Sequence, residues 1–168
     1  MTISMYQASV PVMARMFGNL SAILTKAEAD ATARKIDPSV FLASRLAPDM
    51  HPLTRQIQIA SDAAKGGVAR LAGIEAPSFP DTETSFAELQ ARITKTVEFM
   101  KSVTPAQIDG SEERTITLKF PGQEVSFPGQ VFLLNFTLPN FFFHVTTAYA
   151  ILRHNGVTLG KMDFLGGV

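Results

Sequence analysis

The sequence predicts an all-α protein, an up-down-up-down four-helix bundle with a small β-hairpin before the last helix. Three long segments carry apolar residues at alternating gaps of three and four, the period of a helix that buries one face. After Gly110 the apolar period changes to two, which indicates strands, and a fourth helical segment follows. A chain of 168 residues is long enough to bury a core, so one domain spanning 1–168 is expected.

The first helix is predicted at 5–35 from an apolar stripe that runs from Val10 to Ala31. Pro11 lies in its early turns, where a proline kinks a helix or marks its effective start. The segment 37–51 contains two prolines and a short apolar stretch, and it is expected to be a loop that tucks into the bundle.

The second helix is predicted at 52–72, because Pro52 suits a first helical turn and Gly73 suits a stop. Gly66 and Gly67 lie in its middle, where glycine costs about 1 kcal/mol relative to alanine. We interpret the pair as the site of a close helix–helix crossing rather than a hinge.

The third helix is predicted at 85–104, because Ser85 and Glu88 have the S-x-x-E spacing of a capping box. Alternating apolar residues on both sides of a Pro-Gly turn then predict a hairpin near 115–127. The segment 129–137 has no clear period and is expected to be an extended crossing segment.

The last helix is predicted at 138–154, with Pro139 in its first turn and an Asn-Gly pair at its end. Asn140 and His144 stand at i and i+4 on one face of this helix. At this spacing a bundle helix can offer two side chains to one ion or ligand.

The three histidines raise the possibility of a metal site, because neutral imidazoles bind zinc, nickel or iron. His154 lies ten residues after His144, about 15 Å along the helix, so the two cannot share an ion. If the second and fourth helices run parallel, the residues level with His144 lie near 56–58, and His51 lies roughly 10 Å lower. These polar groups either bond to one another inside the bundle or contact a small molecule. The candidate ligand-binding residues are Asn140, His144, Gln56 and Gln58.

Composition excludes several classes of function. Fifteen basic and fifteen acidic residues balance, which gives no electrostatic case for nucleic acid or an acidic membrane. No cysteine is present, so disulfides, thiolate metal sites and a cysteine nucleophile are excluded. No export signal and no long uncharged apolar stretch is recognised, so a cytoplasmic protein without a membrane span is expected. The aromatic residues at 141–143 exceed one buried stripe, which favours a homodimer.

The segments 139–144 and 148–157, with weaker support from 50–73 and 85–101, resemble the DinB/YfiT-like superfamily of four-helix bundles. The resemblance is closer to an uncharacterised bacterial subgroup. It implies a site with one histidine on the second helix and an H-x-x-x-H pair on the last, in proteins regarded as metalloenzymes. Some members transfer or isomerise groups with low-molecular-weight thiols, and members often pair through their bundle helices.

By this resemblance, His144 matches the second histidine of the pair and Asn140 stands where the first would be. The second-helix position falls near Gln56 or Gln58, so one of three ligands is retained. We therefore expect no cofactor, and a non-catalytic or small-ligand-binding bundle with a degenerate metal site. The alternative is a divergent metal-dependent enzyme, of the thiol-dependent transferase or isomerase class, in which His144 holds a divalent ion such as zinc or nickel.

Overall fold

The computed structural model describes residues 2–167 and contains four long helices around one apolar core. The predicted helical bundle with a hairpin before its last helix is confirmed. The elements in chain order are α1 (Met5–Arg34), α2 (Pro38–Ala43), α3 (Leu53–Ala72), α4 (Phe86–Ser102), α5 (Pro105–Ile108), β1 (Thr115–Phe120), β2 (Gln123–Pro128), α6 (Gly129–Val131), a π-helical segment (Phe132–Thr137), α7 (Leu138–His154) and α8 (Lys161–Leu165). Within the bundle α3 packs against α4 and α7, and α1 packs against the same two helices.

Local signals account for the helix ends. Ser4 and Gln7 form a reciprocal capping box at the start of α1, and Pro11 lies inside the helix without ending it. Ser85 caps α4 by accepting a hydrogen bond from the backbone N–H of Glu88. The Glu88 carboxylate reaches Thr84 instead of closing the predicted capping box on Ser85.

Three short helices were not predicted from the sequence. The expected loop before α3 contains α2, which buries Phe41 and Leu42 and is capped by the Asp37 side chain. An Asp-Pro pair is an N-cap followed by an N1 proline, so the signal was present but short. The helices α5 and α8 are likewise too short for a periodic stripe.

The directions of the helices differ from the predicted up-down-up-down order. Gln56 contacts His144 near the start of α3, while Gly67 meets Thr137 further along, so α3 and the last helix run antiparallel. The start of α3 also lies beside Asp81, just before α4 begins, so α3 and α4 run in the same direction. The order is therefore up-down-down-up.

The connection between α3 and α4, residues 73–85, makes this order possible, and we call it the crossover segment. Fully extended it reaches about 40 Å, whereas the 20-residue α3 is about 30 Å long. The chain can therefore return along the whole helix before α4 starts. Short connections favour antiparallel neighbours, and this one is not short.

The hairpin forms as predicted, with β1 and β2 antiparallel. Ile116 lies opposite Phe127 and Leu118 opposite Val125, so one face of the ribbon is apolar. That face packs towards the π-helical segment, where the rings of Phe127 and Phe132 lie 6.4 Å apart. The hairpin thus covers the beginning of the last helix.

The prediction of an extended segment at 129–137 is wrong, because this stretch is helical and continuous with α7. An α-helical proline lacks an N–H and crowds the carbonyl four residues earlier, which here is Asn135. A π turn holds one extra residue and is wider, so it accommodates Pro139 without ending the helix. The last helix therefore spans Gly129–His154.

No membrane span is predicted from the sequence, but by length and composition this 26-residue helix could cross a membrane. Its most apolar window has a mean hydropathy of 1.2, and 44% of that window is buried inside the bundle. A core helix passes the same test, so the helix is weak evidence for a membrane span.

A close crossing at Gly67, as interpreted from the sequence, is confirmed. A Cβ atom at this position would overlap the methyl group of Thr137 on the π-helical segment. Gly66 instead faces the guanidinium of Arg70 in its own helix. The crossing leaves the Thr137 hydroxyl buried with no hydrogen-bond partner among residues 2–167, which costs free energy that the surrounding packing must offset.

We predict that Gly67→Ala destabilises the protein by about 1–3 kcal/mol, because overpacking outweighs the gain in helix propensity. Gly18→Ala is the matched control, because a Cβ there meets nothing within 4 Å. It should stabilise the protein by up to about 1 kcal/mol. Urea denaturation of both variants measures the two effects, and a stabilised Gly67→Ala would contradict the close crossing.

Candidate functional site

The candidate site lies where α3 crosses α7, and it joins two of the predicted residues. The Nδ1 atom of His144 is 2.7 Å from Oε1 of Gln56, and both side chains are buried. The parallel arrangement assumed for these helices does not hold, although Gln56 is among the residues it placed level with His144. The pair meets because Gln56 is in the first turn of α3 and His144 is in the second half of the antiparallel helix.

A second hydrogen bond determines the orientation of the Gln56 side-chain amide. The Nε2 amide group of Gln56 donates to the backbone carbonyl of His51 at 2.9 Å. A carbonyl only accepts, so the amide nitrogen of Gln56 must point to His51 and its oxygen to His144. His144 must then donate from Nδ1. In the neutral ring this leaves Nε2 as a free acceptor.

Electrostatics favours the neutral form of His144. Burial lowers the pKa of His144 below its usual value, and coulombic interactions with His51 and Arg55 lower it further. The buried side-chain atoms without a partner within residues 2–167 are Arg92 Nε, Ser111 Oγ and Thr137 Oγ1. His144 Nε2 is not among them, so it keeps a small contact with solvent, in line with an exposure of 8%.

Asn140 and Phe143 flank the imidazole on the same helix. Asn140 is half-buried one turn before His144, and no hydrogen bond within residues 2–167 links its amide to His144 or Gln56. The ring of Phe143 stands edge-on to the imidazole at 5.2 Å and is 56% exposed. An imidazole acceptor, an amide and an exposed aromatic ring therefore lie together at one surface.

The structure separates Gln58 from this group. Two residues along an α-helix correspond to a rotation of about 200°, so Gln58 leaves α3 on nearly the opposite side from Gln56. Gln58 donates to Glu83 at 2.8 Å and accepts from Arg55 at 3.2 Å. Of the two alternatives on the second helix, only Gln56 contacts His144.

A charged cluster around Arg92 was not identified from the sequence. The guanidinium is buried and contacts Glu83 at 2.8 Å, Asp62 at 3.0 Å and Asp81 at 3.0 Å. It also donates to the carbonyl of Pro80. Most of these partners belong to the crossover segment, so Arg92 holds that segment against α3 and α4. Three spaced carboxylates and one arginine carry no sequence periodicity that could have revealed the cluster.

The carboxylate of Glu83 is ionised despite its partial burial. Burial would raise its pKa, but hydrogen bonds from Arg92 and Gln58 favour the charged form more strongly. The pKa of Glu83 is therefore below its usual value. The contact between Glu83 and Arg92 therefore involves a carboxylate and not a neutral carboxyl group.

The residues at His144 do not fit the divalent metal implied by the family resemblance. Stable zinc sites gather three or four imidazole, carboxylate or thiolate ligands. Within residues 2–167 no group of three or more His, Cys, Asp or Glu side chains could hold an ion. Gln56 already uses its oxygen on His144 Nδ1, and His154 is exposed at the far end of α7. His144 Nε2 remains as a good ligand, and even with the neighbouring His51 the described residues do not supply three such ligands.

Comparison with known proteins supports the fold. The family model described as a domain of unknown function (DUF1993) matches residues 5–165. The chain is also similar to the crystal structure of a DinB family member protein from Shewanella denitrificans, with 43% identity and a TM-score of 0.88. That match covers 97% of this chain and 92% of the other. No curated protein matches. The resemblance to an uncharacterised DinB-like group is thereby confirmed.

We predict that part of the pH dependence of stability comes from His144. Because its folded pKa is lowered, the unfolded chain binds a proton first as the pH falls below about 6.5. Its contribution is complete above that pH and is lost as the pH falls towards the folded pKa. His144→Gln should make the free energy of unfolding, measured by urea denaturation, depend less steeply on pH in this range. An unchanged slope, with His154→Gln as control, would contradict the neutral buried imidazole.

Proposed function

Because the chain belongs to the DUF1993 family, a DinB-like group of unknown function, we propose its function from its own geometry: a non-catalytic bundle that binds a small polar molecule at His144. The observation that carries the proposal is the hydrogen-bond chain from His51 through Gln56 to His144. It holds a neutral imidazole with Nε2 free to accept. Such a fixed acceptor needs no reorganisation when a ligand arrives.

The ligand of this site carries an N–H or O–H donor. A neutral imidazole nitrogen accepts one hydrogen bond, and positively charged groups are disfavoured by nearby Arg55. The Asn140 amide can donate or accept beside it, and the exposed ring of Phe143 offers a face or edge to an apolar body. A few placed polar groups beside apolar surface are typical of small-molecule sites.

One observation favours the alternative, a divergent metal-dependent enzyme. Histidines that bind metals usually donate their second ring nitrogen to a carbonyl or carboxylate, as His144 does to Gln56. In that case His144 would hold zinc or nickel, and the thiol-dependent transferase or isomerase class would be the model. The missing ligands weigh against it, because even the loss of an outer partner lowers metal affinity about 10–100-fold.

We also propose a homodimer in the cytoplasm. Val131 and Leu134 are exposed one helical turn apart on the last helix, and residues 125–152 contain no formal charge. An uncharged apolar face can pair with its own copy without like-charge repulsion. Light scattering should give a dimer. Leu134→Lys should dissociate it, whereas Val40→Lys, at a similarly exposed position, should not. A monomeric native protein would contradict the proposal.

The ligand-binding proposal predicts that phenol binds and anisole does not. Both have an aromatic ring, but only phenol has an O–H to donate to His144 Nε2. Chemical shifts of His144 and Phe143 would be followed in NMR titrations. His144→Phe should abolish the difference between the two compounds. Equal binding of both, or of neither, would contradict the acceptor role of His144.

The degenerate site predicts that protein purified without a histidine tag contains no stoichiometric zinc or nickel. Elemental analysis of the protein, followed by calorimetric titration with each ion, tests this directly. About one metal per chain that is lost in His144→Ala would overturn the non-catalytic reading and favour the enzyme. The Gln56→Ala variant, which removes the partner of Nδ1, would then show how far metal affinity depends on the orientation of the imidazole.

A further inference from the structure

The crossover segment is held against the bundle without taking part in its apolar core. None of its residues is buried, and among residues 2–167 none of its apolar side chains packs against the core cluster. Residues 75–83 make no backbone-to-backbone hydrogen bond to any part of the chain that the structure describes. Segments with few buried apolar contacts have low local stability. The attachment of this segment therefore depends on its side chains.

The side-chain contacts of the segment are polar and join it to α3 and α4. Asp81 forms ion pairs with Arg55 of α3 and with Arg92 of α4, the second at 3.0 Å. Glu83 accepts hydrogen bonds from Arg92 and from Gln58 of α3, each at 2.8 Å. Two carboxylates thus tie the middle of the segment to both helices.

The side chains beneath the segment are polar, although they are buried. Gln58 is 4% exposed, Lys65 is 8% exposed and Arg92 is 3% exposed, whereas residues of these types are mostly found at the surface. The centroid of the Phe79 ring lies 5.3 Å from Lys65 Nζ and 5.8 Å from Arg92 Cζ. Glu83 contacts the other two side chains directly. The crossover segment therefore covers a polar part of the helix surface.

The charges at this contact balance only while the segment is in place. The helices contribute three cations, Arg55, Lys65 and Arg92. They contribute one carboxylate, Asp62, whereas the other two carboxylates belong to the crossover segment. Without the segment, three cations face one carboxylate. We call the surface formed by the three cations the basic face.

We propose that the crossover segment is a strap that opens as a unit while the bundle stays folded, and that its opening uncovers the basic face. Its ends stay fixed, because Gly73 caps α3 and Ser85 caps α4. Ion pairs that reach the surface contribute little to stability, since water competes with them. Opening also returns the buried Arg92 guanidinium to water, which offsets part of the lost contacts. The apolar core stays intact, so opening costs less than global unfolding.

The side-chain amide of Gln58 reports opening, because it donates its hydrogen bond directly to the segment. Its exchange with water, measured by NMR, is compared with that of the backbone N–H of Val145 in the core of α7. The Gln58 amide should be at least about 100-fold less protected than Val145. At low urea concentrations only the Val145 exchange should accelerate, because opening exposes little surface. Equal protection, or an equal response to urea, would overturn the proposal.

A charge-neutralising variant tests whether the segment moves as a unit. Asp81→Asn removes partly exposed ion pairs and should accelerate exchange of the Gln58 amide about fivefold. No hydrogen bond joins Asp81 to Gln58 within residues 2–167, so the effect must pass through the segment. Glu75→Gln is the matched control, because Glu75 is exposed in the same segment and forms no ion pair there. No acceleration in Asp81→Asn, or an equal one in Glu75→Gln, would sink the idea of a strap.

Inorganic tripolyphosphate tests for the basic face, because this anion should bind the open state and not the closed one. With an expected dissociation constant of roughly 1 mM, about 1 mM of the anion should double the open population. Exchange of the Gln58 amide should then be about twofold faster than in sodium chloride of equal ionic strength. Equal rates in the two salts would contradict a basic face beneath the segment and would overturn the proposal.

Discussion

The antiparallel crossing of α3 with the last helix is the contact on which the rest of the bundle depends. At one point Gly67 lets Thr137 approach the backbone of α3, and at another Gln56 accepts a hydrogen bond from His144. The two contacts lie on different turns and together fix the register of the two helices. The contact between Gly67 and Thr137 sets the distance between the two helices. The contact between Gln56 and His144 forms the candidate site.

The second constraint is the long return of the chain between α3 and α4. Buried Arg92 contacts Pro80, Asp81 and Glu83 and so fastens the crossover segment to the bundle. A buried guanidinium is tolerated only when it is paired. Here most of its partners belong to the crossover segment, which has no regular secondary structure of its own. The Arg92 cluster therefore determines where the crossover segment lies against α3 and α4.

Most of the fold follows from periodicity, and the departures have identifiable causes. The helices near 5–35, 52–72 and 85–104 rest on apolar stripes, and the hairpin on strict alternation. The direction of α4 does not show in any stripe, because it depends on the reach of the crossover segment. The length of that connection was the available signal. The helix at 129–137 was missed because a π turn breaks the period used to detect helices.

The candidate site was predictable in part. The spacing of Asn140 and His144 marked the relevant helix face, but the choice between Gln56 and Gln58 required the rotation of α3 in three dimensions. The contribution of the His51 carbonyl was not visible, since it comes from the backbone and not from a residue type. Backbone partners of this kind decide which nitrogen of a histidine is free, and sequence patterns do not contain them.

The tautomer of His144 tests the central claim most directly. Long-range nitrogen–proton NMR correlations of the imidazole at neutral pH distinguish a protonated ring nitrogen from an unprotonated one. The hydrogen-bond chain from His51 through Gln56 predicts a neutral ring with the proton on Nδ1 and a bare Nε2. Gln56→Leu should remove this preference while the ring stays neutral. A native ring protonated at Nε2, or charged at neutral pH, would contradict the account.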